Sequence, residues 1–170
     1  MHEVRIGALV LKFLVDEGIS GGKAVMFEMT VPEKARVPAP HYHRDVDELV
    51  YGLAGTLTMT VDGIAHEVTR GQAVFVPRGS VHHFQNAHAG DAVVLSTLTP
   101  GSIGKTYFEE MAAVVNAGGP PDMARVKEIM QRHGLVPVWH ADAGLSHSCL
   151  PRNRTRRLHK TGSLLLQNPA

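Results

Sequence analysis

The chain has 170 residues, 44% of them hydrophobic, enough to bury one core, and a length at which one domain is the expectation. Its formal net charge of +1 sums two unlike parts: through position 142 there are 12 Lys and Arg against 16 Asp and Glu, a balance of 12 − 16 = −4, while from position 143 onward five basic residues stand without an acidic one. The acidic body argues against a nucleic-acid-binding surface, the single Cys149 excludes an internal disulfide framework and suits a cytoplasmic location, and no stretch is long and uncharged enough to span a bilayer.

Residues 4–15 alternate imperfectly between apolar and polar and read as one strand entering a turn at Asp16, Glu17 and Gly18. Glu3, Arg5 and Lys12 interrupt this start, which therefore lacks the apolar centre of a signal peptide. Residues 23–31 form a second strand with Val25, Phe27, Met29 and Val31 on one face. Pro32, Pro38 and Pro40 withhold backbone donors, so the approach to His41 is expected to be an edge or a loop. His41 and His43 then share a strand face, and Glu48 opens the apolar run Leu49, Val50, Tyr51. Leu57, Met59 and Val61 alternate with Thr58 and Thr60, Asp62 and Gly63 signal a hairpin, and residues 64–68, 73–76, 81–86 and 92–98 complete the strands.

Beyond Pro100 the period becomes helical. Tyr107, Phe108, Met111, Val114 and Val115 define a helix over 105–116; Met123, Val126, Ile129 and Met130 define another over 121–133. Both are expected to pack outside the strands, their apolar stripes serving as core contacts. Residues 1–138 form the expected domain, and 139–170, rich in Arg, Ser and Thr without periodicity, a basic and poorly ordered tail.

His82, on a face shared with Phe84 and Asn86, can bring a third imidazole to the pair at 41 and 43. Three imidazoles and a carboxylate make a ligand set for a first-row divalent metal with positions left open. Asp45 and Asp47 are close enough to rival Glu48, although the apolar run after Glu48 favours it. Val50, Leu57, Met59 and Phe84 are the candidate pocket residues, and Asn86 a backbone tie or a hydrogen-bonding support for the ligands.

The spacing of His41, His43, Glu48 and Gly55, followed by that of Gly71, Pro77, Gly79, His82 and Asn86, resembles the two signature motifs of the cupin superfamily, with Ala35 where a glycine often opens the first motif. The resemblance implies an all-β fold, a double-stranded β-helix or jelly-roll barrel with the two helices packed outside, and one divalent transition metal (Fe, Mn, Ni, Zn or Cu) held by His41, His43, Glu48 and His82. It also implies a homodimer, for which the apolar N-terminal strand is the candidate surface. A single small barrel with helices after it resembles the quercetin dioxygenase-like group. The corresponding expectation is a metal-dependent dioxygenase on a small chelating substrate, Glu48 acting as both ligand and catalytic base. Two alternatives stay open: a non-catalytic small-molecule binding or sensor module, and a sugar or keto-acid isomerase or lyase, which would call for more polar residues in the barrel.

Overall fold

Along residues 25–31 every second side chain turns inward, Val25, Phe27, Met29 and Val31 all being buried, the pattern of a sheet with one face on a core. The computed structural model describes residues 2–138, without the side chains of 36–38; the basic tail expected at 139–170 lies outside the described residues. In chain order the elements are β1 (His2–Ile6), β2 (Leu9–Val15), the short helix α1 (Glu17–Ser20), β3 (Val25–Val31), β4 (Arg36–His43), β5 (Asp47–Ala54), β6 (Thr56–Val61), β7 (Ile64–Thr69), β8 (Ala73–Val76), β9 (His82–Gln85), β10 (Ala92–Thr99), α2 (Lys105–Val115), α3 (Met123–Arg132) and β11 (Leu135–Pro137).

The strands pair antiparallel in two sheets, β1-β2-β3-β10-β5-β8 and β11-β4-β9-β6-β7. Leu11, Val25, Val50 and Val94 from the first and Leu57, Met59 and Val68 from the second belong to one buried cluster. This is the double-stranded β-helix that the sequence implies, with two helices outside the strands. Asp62 and Gly63, at φ 47° and 81°, make the two-residue turn between Val61 and Ile64.

Two elements depart from the sequence reading and a third refines it. The single strand expected at 4–15 is a hairpin: Gly7, at φ 56°, folds the chain so that Ile6 faces Leu9, which accounts for the imperfect alternation. The stretch leading to His41 is a strand rather than a loop, paired with β9 at Arg36 and Val37 but still an edge on its other side, since β11 pairs only with His41–His43. Pro38 and Pro40 fall where the β4–β9 register shifts, between Val37 and His41, a place that tolerates missing donors. The three-residue β11 was not expected at all, and it covers the β4 edge with Leu135 opposite His43 and Pro137 opposite His41.

The helices begin at Lys105 and Met123, as the apolar spacing predicts within two residues. Asp122 caps α3, its carboxylate accepting from the backbone of Ala124 and Arg125. No side chain of its own caps α2; Glu17 Oε2 accepts instead from the Lys105 backbone at 3.2 Å. A Cβ at position 104 would lie 2.6 Å from that carboxylate, so the close approach of Glu17 requires Gly104. Phe108 fixes α2 on the first sheet, its ring centroid 5.0 Å from Phe27 and 5.6 Å from Phe13.

Candidate metal centre

Strand geometry assembles the cluster. His41 and His43 project from one face of β4, and the β4–β9 register sets His82 directly opposite His41. The ring centroids are 4.5 Å apart for His41 and His82, 4.7 Å for His43 and His82, and 5.3 Å for His41 and His43. One nitrogen from each ring lies within 4.8 Å of the others, and the three residues are buried, 5%, 5% and 2% exposed in chain order. The Nδ1–H groups of His41 and His82 donate to the carbonyls of Ala39 and Ser80 at 3.1 and 3.0 Å, which orients both rings and leaves Nε2 free to accept.

Glu48 reaches the cluster from β5. Its Oε2 is 3.5 Å from His82 Nε2, and its Oε1 accepts a short hydrogen bond from the hydroxyl of the fully buried Ser96. Burial alone would raise this carboxyl, but the approach of His82 and His43 and the Ser96 hydroxyl override it and hold the group at about 2. Burial, reinforced by His82 and His43, pushes His41 down to about 3; burial likewise takes His43 down to about 4, against the pull of Glu48. His82 moves the other way: burial lowers it, yet the Glu48 carboxylate overrides that and holds it above the ordinary value.

The three imidazoles so arranged fit a divalent ion, and the Glu48 carboxylate stands beside them. The buried Nδ1 of His43 has no hydrogen-bond partner among the described residues, a state that costs about 1–3 kcal/mol unless something else satisfies it, and the buried Nε2 of His82 has only the Glu48 carboxylate near it, 3.5 Å away. Two imidazoles held neutral and a carboxylate held ionised are the protonation states that a metal requires of its ligands.

The neighbouring acids are occupied elsewhere. Asp47 accepts from the backbone of Arg78 at 2.8 Å and from its guanidinium at 3.0 and 2.6 Å, clasping β5 to the turn before β9, and the exposed Asp45 pairs with Arg44. Asn86 is a backbone tie: its Nδ2 donates to the carbonyls of Val31 and Gly90, both at 2.9 Å. His66 is exposed on β7, and His88 meets the Thr58 hydroxyl at 3.0 Å.

The cluster opens into a cavity of about 100 Å³. Phe84 lines it; Val50, Leu57 and Met59 are buried in the core cluster and do not. Helix α2 contributes Tyr107, Phe108 and Met111 to the cavity wall, residues that the sequence reading assigned to core packing alone. Helical spacing marks an apolar face but cannot tell a core contact from a cavity lining. Ser96 was also missed, because its partner Glu48 lies 48 positions away and only strand pairing joins them.

The fold and buried donor set define a β-helix barrel with a three-histidine site capable of holding a metal ion. Residues 27–98, less than half of the chain, match the family model described as "Cupin domain". Among curated proteins, Protein SchB of Streptomyces halstedii is 32% identical over 60 residues, 35% of this chain, and the chain spans 44% of that protein's length. Among solved structures, KdgF from Halomonas sp. superposes with a TM-score of 0.52 at 16% identity, over 59% of this chain and 86% of that one. A predicted oxalate decarboxylase from Thermotoga maritima gives 0.51 at 22% identity, over 54% and 80%. At these identities the likeness is one of fold. No helix of the described residues is long and apolar enough to cross a membrane.

Proposed function

We propose that the barrel binds one divalent transition metal ion through His41, His43, Glu48 and His82 and presents it to a small, mainly apolar organic molecule bearing a chelating oxygen pair. The observation that carries this reading is a buried, partly unpartnered donor set at the base of a cavity otherwise walled by apolar side chains. Elemental analysis tests it. His82→Ala and Glu48→Ala should each lose metal affinity by more than the roughly 10 to 100-fold typical of groups that only support a ligand, while circular dichroism stays that of a folded barrel. Metal content equal to that of the parent would overturn it.

In its catalytic form the activity is a metal-dependent dioxygenase of the quercetin dioxygenase-like kind. A bound ion of this type supplies Lewis acidity and, for iron, manganese or nickel, a route for electrons to dioxygen. Glu48 Oε2, the oxygen not engaged by Ser96, is the acceptor for the substrate hydroxyl proton. With its carboxyl held low by its neighbours, it would accept a proton only from a hydroxyl whose acidity a bound ion would raise. A cavity of about 100 Å³ falls below the roughly 300–1,000 Å³ of drug-sized sites, which supports a catechol-sized ligand over a flavonol. Oxygen uptake by the iron, manganese or nickel form across both kinds of compound is the measurement. Silence at full metal loading favours the non-catalytic binding module. The isomerase or lyase reading has less support, since among the described residues Tyr107 is the sole polar lining residue beyond the three histidines and Glu48.

The proposed homodimer uses the outer face of the six-stranded sheet, where Leu49, Tyr51 and Phe75 are 41%, 40% and 59% exposed on adjacent strands. The N-terminal strands offer less, because Val4, Leu9 and Leu11 point into the core.

A further inference from the structure

We infer that Tyr107 is a ligand-recognition residue of the metal cavity, its phenol donating a hydrogen bond to an oxygen of the chelating molecule held there. The inference rests on the metal-and-chelate reading above and adds to it a donor that neither motif contains.

Three observations converge on this side chain. Tyr107 is 6% exposed and lines the same cavity as His41, His43, Glu48 and His82. Among the described lining residues every other side chain outside that donor set is apolar, so its hydroxyl is the one neutral hydrogen-bonding side-chain group that they offer. No hydrogen bond to that hydroxyl occurs among the described residues, although the ring is well packed, 4.9 Å from Phe108 and 5.5 Å from His133 between centroids. Phenylalanine would pack as well, so what the hydroxyl adds at this position is a hydrogen-bond donor on the cavity wall. Burial, then the negative charge of Glu48, raises the phenol above its ordinary value and keeps it a donor.

The consequence is selectivity. A ligand that chelates but offers no oxygen toward α2 forgoes this hydrogen bond and binds more weakly than one that supplies the acceptor. Tyr107 thereby acts from outside the barrel sheets on what the barrel binds.

The test uses the full chain loaded with zinc, Y107F beside the parent, and 4-nitrocatechol as the chelating probe, its binding followed by absorbance. Zinc content should be equal in both proteins, and the probe should bind Y107F roughly 2- to 13-fold more weakly, the range for loss of one hydrogen bond. Equal probe affinity overturns the role of Tyr107 and leaves the metal reading intact. Failure of the parent to take up zinc overturns the metal reading itself and this inference with it. Failure of the loaded parent to bind the probe overturns the ligand class and again this inference. A second measurement covers a Y107F protein that does not fold. In parent protein labelled at tyrosine 13Cζ, with Y42F and Y51F assigning the other two of the three tyrosines, the Tyr107 resonance should shift on adding the probe. An unmoved resonance overturns the inference.

Discussion

Glu48 is aimed by a neighbour that no motif names. Ser96 holds its Oε1 and so turns Oε2 toward His82. Ser96→Ala should leave the fold intact and weaken zinc binding by roughly 10 to 100-fold in a competition titration with a chromogenic chelator; unchanged affinity would show that the hydroxyl plays no part. Acid sensitivity follows from the histidines. His41 and His43 have folded values depressed from 6.5 to about 3 and 4, so the stability they contribute is present above pH 6.5 and is lost as pH falls toward those values. His82, raised by Glu48, contributes in the opposite sense, and its stabilising effect fades as pH rises through its folded value. Two depressed groups outweigh one raised group, and the metal-free protein should show a denaturant midpoint that drops steadily below pH 6.5. Since His41 and His43 are already neutral, zinc binding near pH 6 should displace close to one proton, from His82, rather than three; calorimetry in buffers of different ionisation enthalpy counts them. His41, His43 and His82 were legible in the sequence because period-two alternation and turn spacing act locally. Ser96 and Tyr107 were not, because their roles arise from contacts between segments far apart in the chain.

At the scale of elements, the strand bearing two of the donors is braced from an unexpected direction. Leu135 on β11 is 2% exposed, pairs opposite His43 and lines the cavity. Leu135→Ala should cost about 2–5 kcal/mol in chemical denaturation, the range for truncating a buried leucine, and a loss well under 1 kcal/mol would mean that β11 contributes little to holding β4. A three-residue strand ending in proline carries almost no sequence signal, since alternation needs more positions than it offers. The imperfect alternation at the N-terminus concealed a hairpin for a related reason: Gly7 reverses the chain without any of the usual dipeptide turn pairs. By contrast β3 and β6 were legible throughout, because their buried residues recur without interruption.

For the whole molecule, the alternating strands and close turns sufficed to imply two antiparallel sheets around one core. What they did not imply was how the surface would be used. Leu49, Tyr51 and Phe75 lie together only because β5 pairs with β8. If that face is where two copies meet, Phe75→Glu should shift the protein toward monomer in analytical ultracentrifugation while its metal content stays the same. A sedimentation profile unaffected by the added charge would place self-association on another surface.

The division of the cavity between barrel and flanks carries a corollary. Residues 27–98, the stretch that matches a cupin domain, contain the three clustered histidines and Glu48 together with the wall residues Phe27, Met29, Phe84 and Leu98, whereas Ile6, Leu9, Leu11, Tyr107, Met111 and Leu135 come from segments on either side of it. The ionisable cluster thus lies wholly within the central stretch, while the cavity wall is shared with both flanks. Exchanging the flanks would recast part of the wall and leave the cluster untouched.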